Sequence, residues 1–250
     1  MNIELREGER LDDLQNSGLH LIQRPDAFRF GTDSVLLADF AAPRPKDRTV
    51  DLGCGTGAIA TLMAAHCPGL QVEAVEIQPE IADMARRSVI LNHLEARIRV
   101  HEMDMRDAWR ALGAEKFDVV VCNPPYGRDG GGLTNRSDTK RIARHEGDLT
   151  ADDVARSASK LLKSGGKLCV VYPAPRAFEM MRAMDAHRLA PKRIRTVHGV
   201  AGRAPRFVLL DAVKDGGAML HWLEPLVLRN ADGSFTAEWR RIYRMEEENL

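Results

Sequence analysis

Residues 117–126 read FDVVVCNPPY, an apolar and β-branched run followed by a polar, proline-rich tetrapeptide. The run is typical of a buried parallel strand, so the tetrapeptide is expected where the strand ends and a loop begins. Ligand crevices in α/β sheets lie at such strand ends. Two consecutive prolines fix φ and remove two backbone donors, which makes the loop stiff. The pattern predicts a rigid binding loop, with a purely structural turn as the alternative.

The tetrapeptide offers a specific set of chemical groups. Asn123 supplies a side-chain carbonyl, and Pro124 supplies a backbone carbonyl that no following strand pairing requires. Tyr126 supplies a flat ring that can stack on another flat ring. Two acceptors beside a stacking surface suit an amino group attached to a planar heterocycle. Asn123, Pro124 and Tyr126 are therefore the candidate catalytic residues.

Residues 49–57, TVDLGCGTG, predict a second binding loop, between a short strand and a helix over 58–65. Glycines at alternate positions allow positive φ and the close approach of a ligand. The spacing G-x-G-x-G differs from that of dinucleotide folds, and the loop contains no Lys or Arg. A bound nucleoside is therefore more consistent with this loop than a phosphate is. Asp51, at the strand end, suits a ligand ammonium group; a structural glycine turn is the alternative.

Acidic residues follow the next two predicted strands. Glu76 closes a strand over 71–76, about 20 residues after the glycine loop, where a carboxylate can accept from both hydroxyls of a ribose. Asp104 follows a strand over 97–101 and suits the exocyclic amine of an adenine, with Met105 against the ring. The alternatives are a solvated charge at Glu76 and a helix cap at Asp104.

Residues 1–45 are interpreted as an N-terminal lead-in and cap. Thr32 or Asp33 is expected to cap a helix that starts there and packs on the sheet. The functional interpretation places Phe30, Gly31 and Thr32 at the mouth of a cofactor site. An ordinary capped helix without a binding role is the alternative.

The remaining pattern predicts further elements of an α/β domain. The predicted helices cover 79–91, 150–162 and 175–187, and the strands cover 19–22, 168–172, 206–210 and 226–228, with a turn over 163–167 and a charged helical tail through 246–248. A hydrophobic content of 44% is enough for a full core.

The charges balance overall but not locally. Lys and Arg number 36, as do Asp and Glu, which excludes a chain that binds nucleic acid through its net charge alone. Residues 127–147 predict a long basic loop over a polyanion, and residues 182–206 form a second basic stretch. A solvated loop and a solvated helix face are the alternatives. The candidate nucleic-acid contacts are Tyr126, Arg128, Arg136, Lys140, Arg141, Arg144, Lys192, Arg193 and Arg195.

The four cysteines, Cys54, Cys67, Cys122 and Cys169, include no C-x-x-C pair. This pattern argues against a zinc site or a disulfide framework and fits a reducing cytosol. The acidic and basic N-terminus does not resemble a signal peptide, and no apolar run approaches about 18 residues. We therefore expect a cytoplasmic protein without metal or membrane association. The expected assembly is a monomer or a weak homodimer.

With the glycine loop and the N-P-P-Y tetrapeptide in this order, the chain resembles class I S-adenosylmethionine-dependent methyltransferases. The tetrapeptide is the signature of those that methylate exocyclic or amide nitrogens. From about residue 10 to about residue 240 the chain is similar to the bacterial tRNA1(Val) (adenine-37-N6) methyltransferase family. The stretches that carry this similarity are FGTDSVLL at 30–37, VEIQ at 75–78, ARHE at 143–146 and RIR at 193–195.

The resemblance implies a Rossmann-like α/β fold with a mostly parallel, seven-stranded sheet, helices on both faces and an antiparallel last hairpin. It implies one methyltransferase domain over 1–250, with a catalytic core from 46 to 250 whose C-terminal portion is basic. The cofactor would be S-adenosyl-L-methionine, with S-adenosyl-L-homocysteine as product and no metal. The residues placed in the cofactor site are Phe30, Gly31, Thr32, Asp51, Gly53, Gly55, Gly57, Glu76, Ile77, Asp104, Met105 and Asn123.

The implied reaction is N6-methylation of an adenine in the anticodon stem-loop of tRNA, with A37 of tRNA1(Val) as the target. Three alternatives are kept. Two are enzymes, a protein-glutamine N5-methyltransferase of the release-factor type and an amino-methyltransferase acting on ribosomal RNA or DNA. The third is a non-catalytic, cofactor-dependent RNA-binding module.

Overall fold

The computed structural model describes residues 4–25, 31–125 and 149–245. Its strands are β1 (Arg10–Asp13), β2 (His20–Gln23), β3 (Arg48–Leu52), β4 (Gln71–Glu76), β5 (Ile98–Glu102), β6 (Phe117–Cys122), β7 (Leu162–Pro173), β8 (Leu189–Val200), β9 (Phe207–Lys214), β10 (His221–Trp222) and β11 (Leu226–Arg229). Its helices are α1 (Thr32–Ala41), α2 (Ala58–His66), α3 (Pro79–Leu91), α4 (Ala108–Leu112), α5 (Ala151–Leu161), α6 (Ala177–Ala186) and α7 (Ala237–Ile242). Two 3-10 turns, Met105–Asp107 and Ala174–Arg176, precede α4 and α6.

One large sheet forms the centre of the fold. Its strand order is β10-β8-β9-β7-β6-β3-β4-β5, and β11 also pairs with β8. Strands β7, β6, β3, β4 and β5 are parallel, and β9 runs antiparallel to both β7 and β8. The predicted fold class, a mostly parallel sheet with an antiparallel last hairpin, is confirmed. Within the described residues the sheet has nine strands rather than seven, because β10 and β11 cover the outer edge of β8.

The strand order reverses at the centre of the sheet. The chain leaves β3 towards β4 and β5 on one side and returns to β6 on the other side of β3. Parallel α/β sheets bind ligands at such a reversal, outside the carboxyl ends of the strands. We call the edge formed by the carboxyl ends of β3, β4 and β6 the site edge.

Apolar side chains alternate between the two faces of the sheet. Val119 and Val121 of β6 lie in the cluster that includes α1, α2 and α7. Val120 and Cys122, one residue out of phase, lie in the cluster that includes α4, α5 and α6. This alternation follows from the two-residue period of a strand, and both faces are buried because helices cover both.

The second half of the chain differs from expectation in two places. Residues 189–200 form strand β8, although the sequence pattern predicted only a basic stretch there. Its apolar positions are interrupted by a register shift between Pro191 and Arg193, which removes a clear two-residue period. The predicted turn at 163–167 lies inside β7 as an irregularity: Leu162 pairs with Phe117, but Lys167 pairs with Val119.

The N-terminal lead-in is more regular than expected. Strand β2 confirms the predicted short strand, and it pairs antiparallel with β1. The backbone N–H of Ile22 donates to Ser88 Oγ at 2.9 Å, which docks this hairpin on α3. Gln23 then donates to Thr56 Oγ1 in the glycine loop at 3.0 Å.

No helix in the described part of the chain combines the length and apolarity that a bilayer-spanning segment needs.

Candidate cofactor and catalytic site

The two predicted binding loops leave the sheet side by side. Leu52, the last residue of β3, pairs with Cys122, the last residue of β6. The glycine loop and the tetrapeptide loop therefore start at neighbouring points of the site edge. Glu76 ends β4 on the other side of β3 and pairs with Glu102 of β5. Parallel pairing thus places Asp51, Glu76 and Asn123 at the carboxyl ends of three adjacent strands, with Asn123 directly after β6.

The glycine loop has the backbone that its sequence predicted. Gly53, Gly55 and Gly57 have φ of +70°, +55° and +89°. The N–H groups of Gly53 and Cys54 both donate to Val75 O at 2.9 Å, which ties the loop to β4. A Cβ added to Gly55 would meet no atom of the described chain within 4 Å. The loop is therefore fixed on its strand side and open above Gly55.

Asp51 is fully buried beneath this loop. Its Oδ2 accepts from the N–H of Ala60, in the first turn of α2, at 3.1 Å. Its Oδ1 is buried and has no hydrogen-bond partner among the residues that the structure describes. Burial, with a smaller contribution from the charge of Glu76, raises the pKa of Asp51 to about 7. One carboxylate oxygen is thus left for a ligand donor.

Glu76 is the second buried carboxylate of the site edge, with 5% of its surface exposed. Its Oε2 accepts from Gly55 N at 3.0 Å and its Oε1 accepts from Gln78 N at 2.9 Å. Glu76 therefore joins the glycine loop to the start of α3. Burial raises the pKa of Glu76, and these backbone hydrogen bonds oppose the rise. Its role towards ribose stays a prediction, as does that of the following Ile77.

Asp104 and Met105 lie at the end of β5. Asp104 accepts from the backbone N–H of Arg106 at 2.8 Å and pairs with its guanidinium. Asp104 therefore caps the 3-10 turn, and Arg106 lowers its pKa. Met105 Cε lies 3.1 Å from the position that a Cβ of Gly53 would take, so a side chain there would require the end of Met105 to shift by a few tenths of an ångström. Contact of either residue with an adenine stays a prediction.

Asn123 is held by the first turn of α1. Its Nδ2 donates to Asp33 Oδ2 at 3.1 Å and approaches Ser34 Oγ at 3.4 Å. Asp33 and Ser34 are 9% and 4% exposed. Burial raises the pKa of Asp33, whereas hydrogen bonds from Asn123 and Ser34 and the charge of Arg206 oppose the rise. The structure thus connects the tetrapeptide loop to the first turn of α1, 90 residues earlier in the sequence.

The cap prediction for α1 is wrong. Gly31 is the N-cap, Thr32 is the first helical residue, and no side chain of the described chain caps the helix. A Cβ at Gly31 would lie 2.7 Å from Asp33 Oδ1, so Gly31 makes room for that carboxylate. Sequence reasoning missed Asp33 and Ser34 as site residues. The available signal was a run of three polar residues, Thr32, Asp33 and Ser34, directly before the apolar part of the helix.

Several predicted site residues lie outside the described residues. They are Phe30, Tyr126, Arg128, Arg136, Lys140, Arg141 and Arg144. The predicted tail at 246–248 also lies outside them.

Within the described residues, no group of three or more His, Cys, Asp or Glu side chains is arranged to hold a metal ion. All four cysteines are free and buried in the structure.

The predicted basic contacts in β8 are not gathered at Asn123. Arg193 pairs with Asp211 of β9, with Nε 2.6 Å from Oδ2. Arg195 donates to both carboxylate oxygens of Glu238 in α7 at 2.8 Å. These two ion pairs connect β8 to strand β9 and to helix α7. Lys192 lies towards the opposite edge, since Ala190, two residues before it, is level with Val119 of β6 through the pairings of β8 with β9, β9 with β7 and β7 with β6.

A different part of the basic stretch reaches the site edge. Phe207, the first residue of β9, pairs with Pro173, the last residue of β7. The exposed Arg206 therefore lies at the site edge, where its carbonyl accepts from Ala174 N at 3.0 Å. Its charge acts on Asp33, as described above. Arg203 is exposed in the turn before it. Only the strand register reveals this position.

Comparison with known proteins gives a consistent result. The model of the methyltransferase small domain family matches residues 27–190, more than half of the chain. A protein of Yersinia pseudotuberculosis serotype O:3, named tRNA1(Val) (adenine(37)-N6)-methyltransferase, is 28% identical over 217 residues, which are 86% of this chain and 84% of that protein. The protein of the same name from Yersinia pestis strain Pestoides F is also 28% identical, over 86% of each chain.

A solved structure supports the same grouping. A predicted O-methyltransferase from Agrobacterium tumefaciens superposes with a TM-score of 0.70 at 28% identity, covering 85% of this chain and 95% of that one. The family match, the fold and the glycine loop of Gly53, Gly55 and Gly57 agree. The chain therefore belongs to the methyltransferase small domain family and is an S-adenosylmethionine-dependent methyltransferase.

Proposed function

We propose that this enzyme methylates N6 of an adenine in tRNA, with A37 of tRNA1(Val) as the target. The observation that supports this best is the environment of Asn123. Its amide nitrogen donates to Asp33, so its carbonyl oxygen lies on the other side of the amide group. An amide oxygen at the site edge suits an exocyclic amine. The names of the relatives in Yersinia point to the same substrate.

The described residues fit S-adenosylmethionine. Asp51 Oδ1 is a buried acceptor without a partner in the described chain, which suits the ammonium of the methionine part. The space above Gly55 is free of described atoms, which suits a close ligand. The Glu76 oxygens accept from the backbone N–H groups of Gly55 and Gln78, and a carboxylate has about four lone pairs, which suits further donation from ribose hydroxyls. Asp51, Gly55 and Glu76 would therefore hold the cofactor.

The residues of the tetrapeptide would act on the target amine. Bound S-adenosylmethionine supplies a methyl group already activated by its sulfonium centre. Adenine N6 is a poor nucleophile because its lone pair is delocalised into the ring. The Asn123 side-chain oxygen and the Pro124 carbonyl would accept hydrogen bonds from the two N–H groups of this amine. These hydrogen bonds favour a tetrahedral nitrogen and expose its lone pair.

Positioning would supply most of the catalysis. Stacking of the base on Tyr126 would contribute about 1–3 kcal/mol. The N6 proton becomes acidic after methylation, so no dedicated base is required. The target base must leave its stack to reach the site, and an exposed position beside the anticodon lowers that cost. A tRNA substrate also implies a cytoplasmic enzyme.

The acceptor is tested by transfer of labelled methyl from S-adenosylmethionine to unmodified total tRNA. Duplex DNA and a release factor serve as parallel acceptors, and nucleoside digestion identifies the product. N6-methyladenosine formed only with tRNA supports the proposal, and mapping of the label then locates the position. Label in the release factor or in DNA, with none in tRNA, contradicts it.

We expect Arg203→Gln and Arg206→Gln each to raise the KM for tRNA on the order of tenfold, because each removes a cation that can pair with phosphate at the site edge. Each should also lower the slope of log KM against log salt concentration by about one. Arg188→Gln is the matched control: its side chain is 72% exposed and lies at the start of β8, at the opposite edge. Equal effects of all three variants would contradict a localised RNA surface.

The affinity for S-adenosylmethionine should rise with pH up to about 7. Burial raises the pKa of Asp51 from its ordinary value of 3.8 to about 7, so below pH 7 the carboxyl of the unliganded protein is mostly protonated. The ammonium of S-adenosylmethionine beside Oδ1 favours the ionised form, so cofactor binding below pH 7 releases this proton. The Kd for S-adenosylmethionine should therefore fall by up to about tenfold per pH unit as the pH rises towards 7. Titration calorimetry in buffers of different ionisation enthalpy measures the release. In Asp51→Asn the release should vanish; an unchanged release would contradict the assignment to Asp51.

A further inference from the structure

Asp33 is a carboxylate that the reaction described above does not use directly. It lies in the first turn of α1, 9% exposed, against the tetrapeptide loop. Aspartate is rarely this buried without a specific partner. Its Oδ1 accepts from Ser34 N at 2.9 Å and its Oδ2 accepts from Asn123 Nδ2 at 3.1 Å. Both oxygens thus have defined and different donors.

These two contacts determine which way round the Asn123 amide lies. A primary amide has a donor at one end and an acceptor at the other, and either end can face a polar neighbour. An ionised carboxylate accepts only, so the NH2 group must face Asp33. The oxygen is then directed to the other side. Because Ser34 N fixes Oδ1, the carboxylate itself cannot turn freely.

The local backbone supports this position. Gly31 provides room for the carboxylate, since any Cβ there would lie 2.7 Å from Oδ1. A negative charge in the first turn of a helix is stabilised by the helix dipole. Burial raises the pKa of Asp33, and the hydrogen bonds from Asn123 and Ser34 and the charge of Arg206 oppose that rise. Asp33 is therefore set as a fixed acceptor beside the tetrapeptide.

We infer that Asp33 is a positioning residue, which holds the Asn123 amide so that its oxygen faces the target amine. The inference rests on the proposed function in one respect, the role of the Asn123 oxygen as an acceptor. If the Asn123 amide turned over, its NH2 group would face the target amine. The two N–H groups of that amine must themselves donate hydrogen bonds. Such a donor–donor contact would misplace the amine, and misplacement by about 1 Å can cost about 100-fold in rate.

Two substitutions separate this role from simple packing. Asp33→Ala removes the acceptor, and kcat is expected to fall about 100-fold with the KM for S-adenosylmethionine within about twofold. Asp33→Asn keeps the shape but has one acceptor for two donors, Ser34 N and Asn123 Nδ2, so a comparable loss is expected. Asp39→Asn, on the same helix and paired at 3.5 Å with the exposed Arg241, is the matched control and should keep wild-type kcat.

A double-mutant cycle tests whether Asp33 acts through Asn123. Single-turnover rates are measured for Asp33→Ala, Asn123→Ala and the double variant. If Asp33 only positions Asn123, Asp33→Ala changes the rate of the Asn123→Ala enzyme by less than about twofold. A further loss as large as in the wild type would overturn the inference, because the effect would then be independent of Asn123.

A readout without turnover completes the test. The side-chain NH2 signals of Asn123, identified by their absence from the spectrum of Asn123→Ala, should shift and exchange faster with water in Asp33→Asn. Unchanged signals would overturn the inference even if activity fell. If Asp33→Ala does not fold, Asp33→Asn and this spectrum decide the question. Failure of the wild type to methylate tRNA would refute the proposed substrate but would leave the spectrum unaffected.

Discussion

Asn123→Ala is expected to lower kcat by about 1,000-fold while leaving the Kd for S-adenosylmethionine within about twofold. The variant removes an acceptor that is needed most strongly as the nitrogen becomes tetrahedral, and loss of one such group typically costs about 10²–10³ in kcat. The side chain lies at the end of β6, beside but not within the glycine loop. The rate should therefore change much more than cofactor binding.

The measurement for Asn123→Ala combines single-turnover methyl transfer to tRNA with calorimetric titration of S-adenosylmethionine. Asn230→Ala is the control, because Asn230 is exposed in the turn after the outer strand β11 and its amide donates to Ser234 Oγ at 3.0 Å. Activity within about tenfold of the wild type would refute the role given to the Asn123 oxygen. A loss of cofactor affinity equal to the loss of rate would instead assign Asn123 to cofactor binding.

Glu76→Ala is expected to weaken S-adenosylmethionine binding by about 100-fold or more. Two effects combine: the ribose loses its predicted acceptors, and the N–H groups of Gly55 and Gln78 lose theirs. Hydrogen bonds to charged groups contribute about 1.5–3 kcal/mol each, and every 1.4 kcal/mol changes Kd about tenfold. The glycine loop should also become less ordered, since Glu76 joins it to α3.

Glu73→Ala is the matched control for Glu76→Ala, because Glu73 lies on the same strand β4 but faces His101 instead of the glycine loop. Its effect on cofactor affinity should be below about threefold. Glu76→Gln should also weaken binding, since an amide has one acceptor for the two backbone donors. A Kd within about threefold of the wild type for Glu76→Ala would refute the assignment of Glu76 to the cofactor site.

The local parts of the site could be predicted from the sequence. Alternate glycines after a β-branched strand predict positive φ, and Gly53, Gly55 and Gly57 adopt it. Buried parallel strands are continuous apolar runs, so β6 was placed correctly, as was the end of β4 at Glu76. These features depend on backbone sterics and on the two-residue period of a strand, both of which are properties of short segments.

The outer strand β8 could not be predicted, because its register shift and its charged positions hide the period. Arg193 and Arg195 were assigned to RNA from their charge and from the resemblance; the structure gives each a carboxylate partner, Asp211 and Glu238, and their contact with RNA stays a prediction. A sequence shows that a side chain is basic but not whether another chain segment neutralises it. The position of Arg206 at the site edge likewise follows only from the pairing of β9 with β7.

The sequence by itself determined the strand–loop–helix unit around Gly53–Gly57 and the stiff loop after β6, because both are encoded by neighbouring residues. Only the tertiary structure decided that Asp33 contacts Asn123, 90 residues away, and that Asp51 keeps one buried oxygen without a partner in the described chain. The physical reason is that burial and hydrogen-bond pairing depend on which segments pack together. Packing is set by the whole sheet and its two helical layers, and no local pattern contains it.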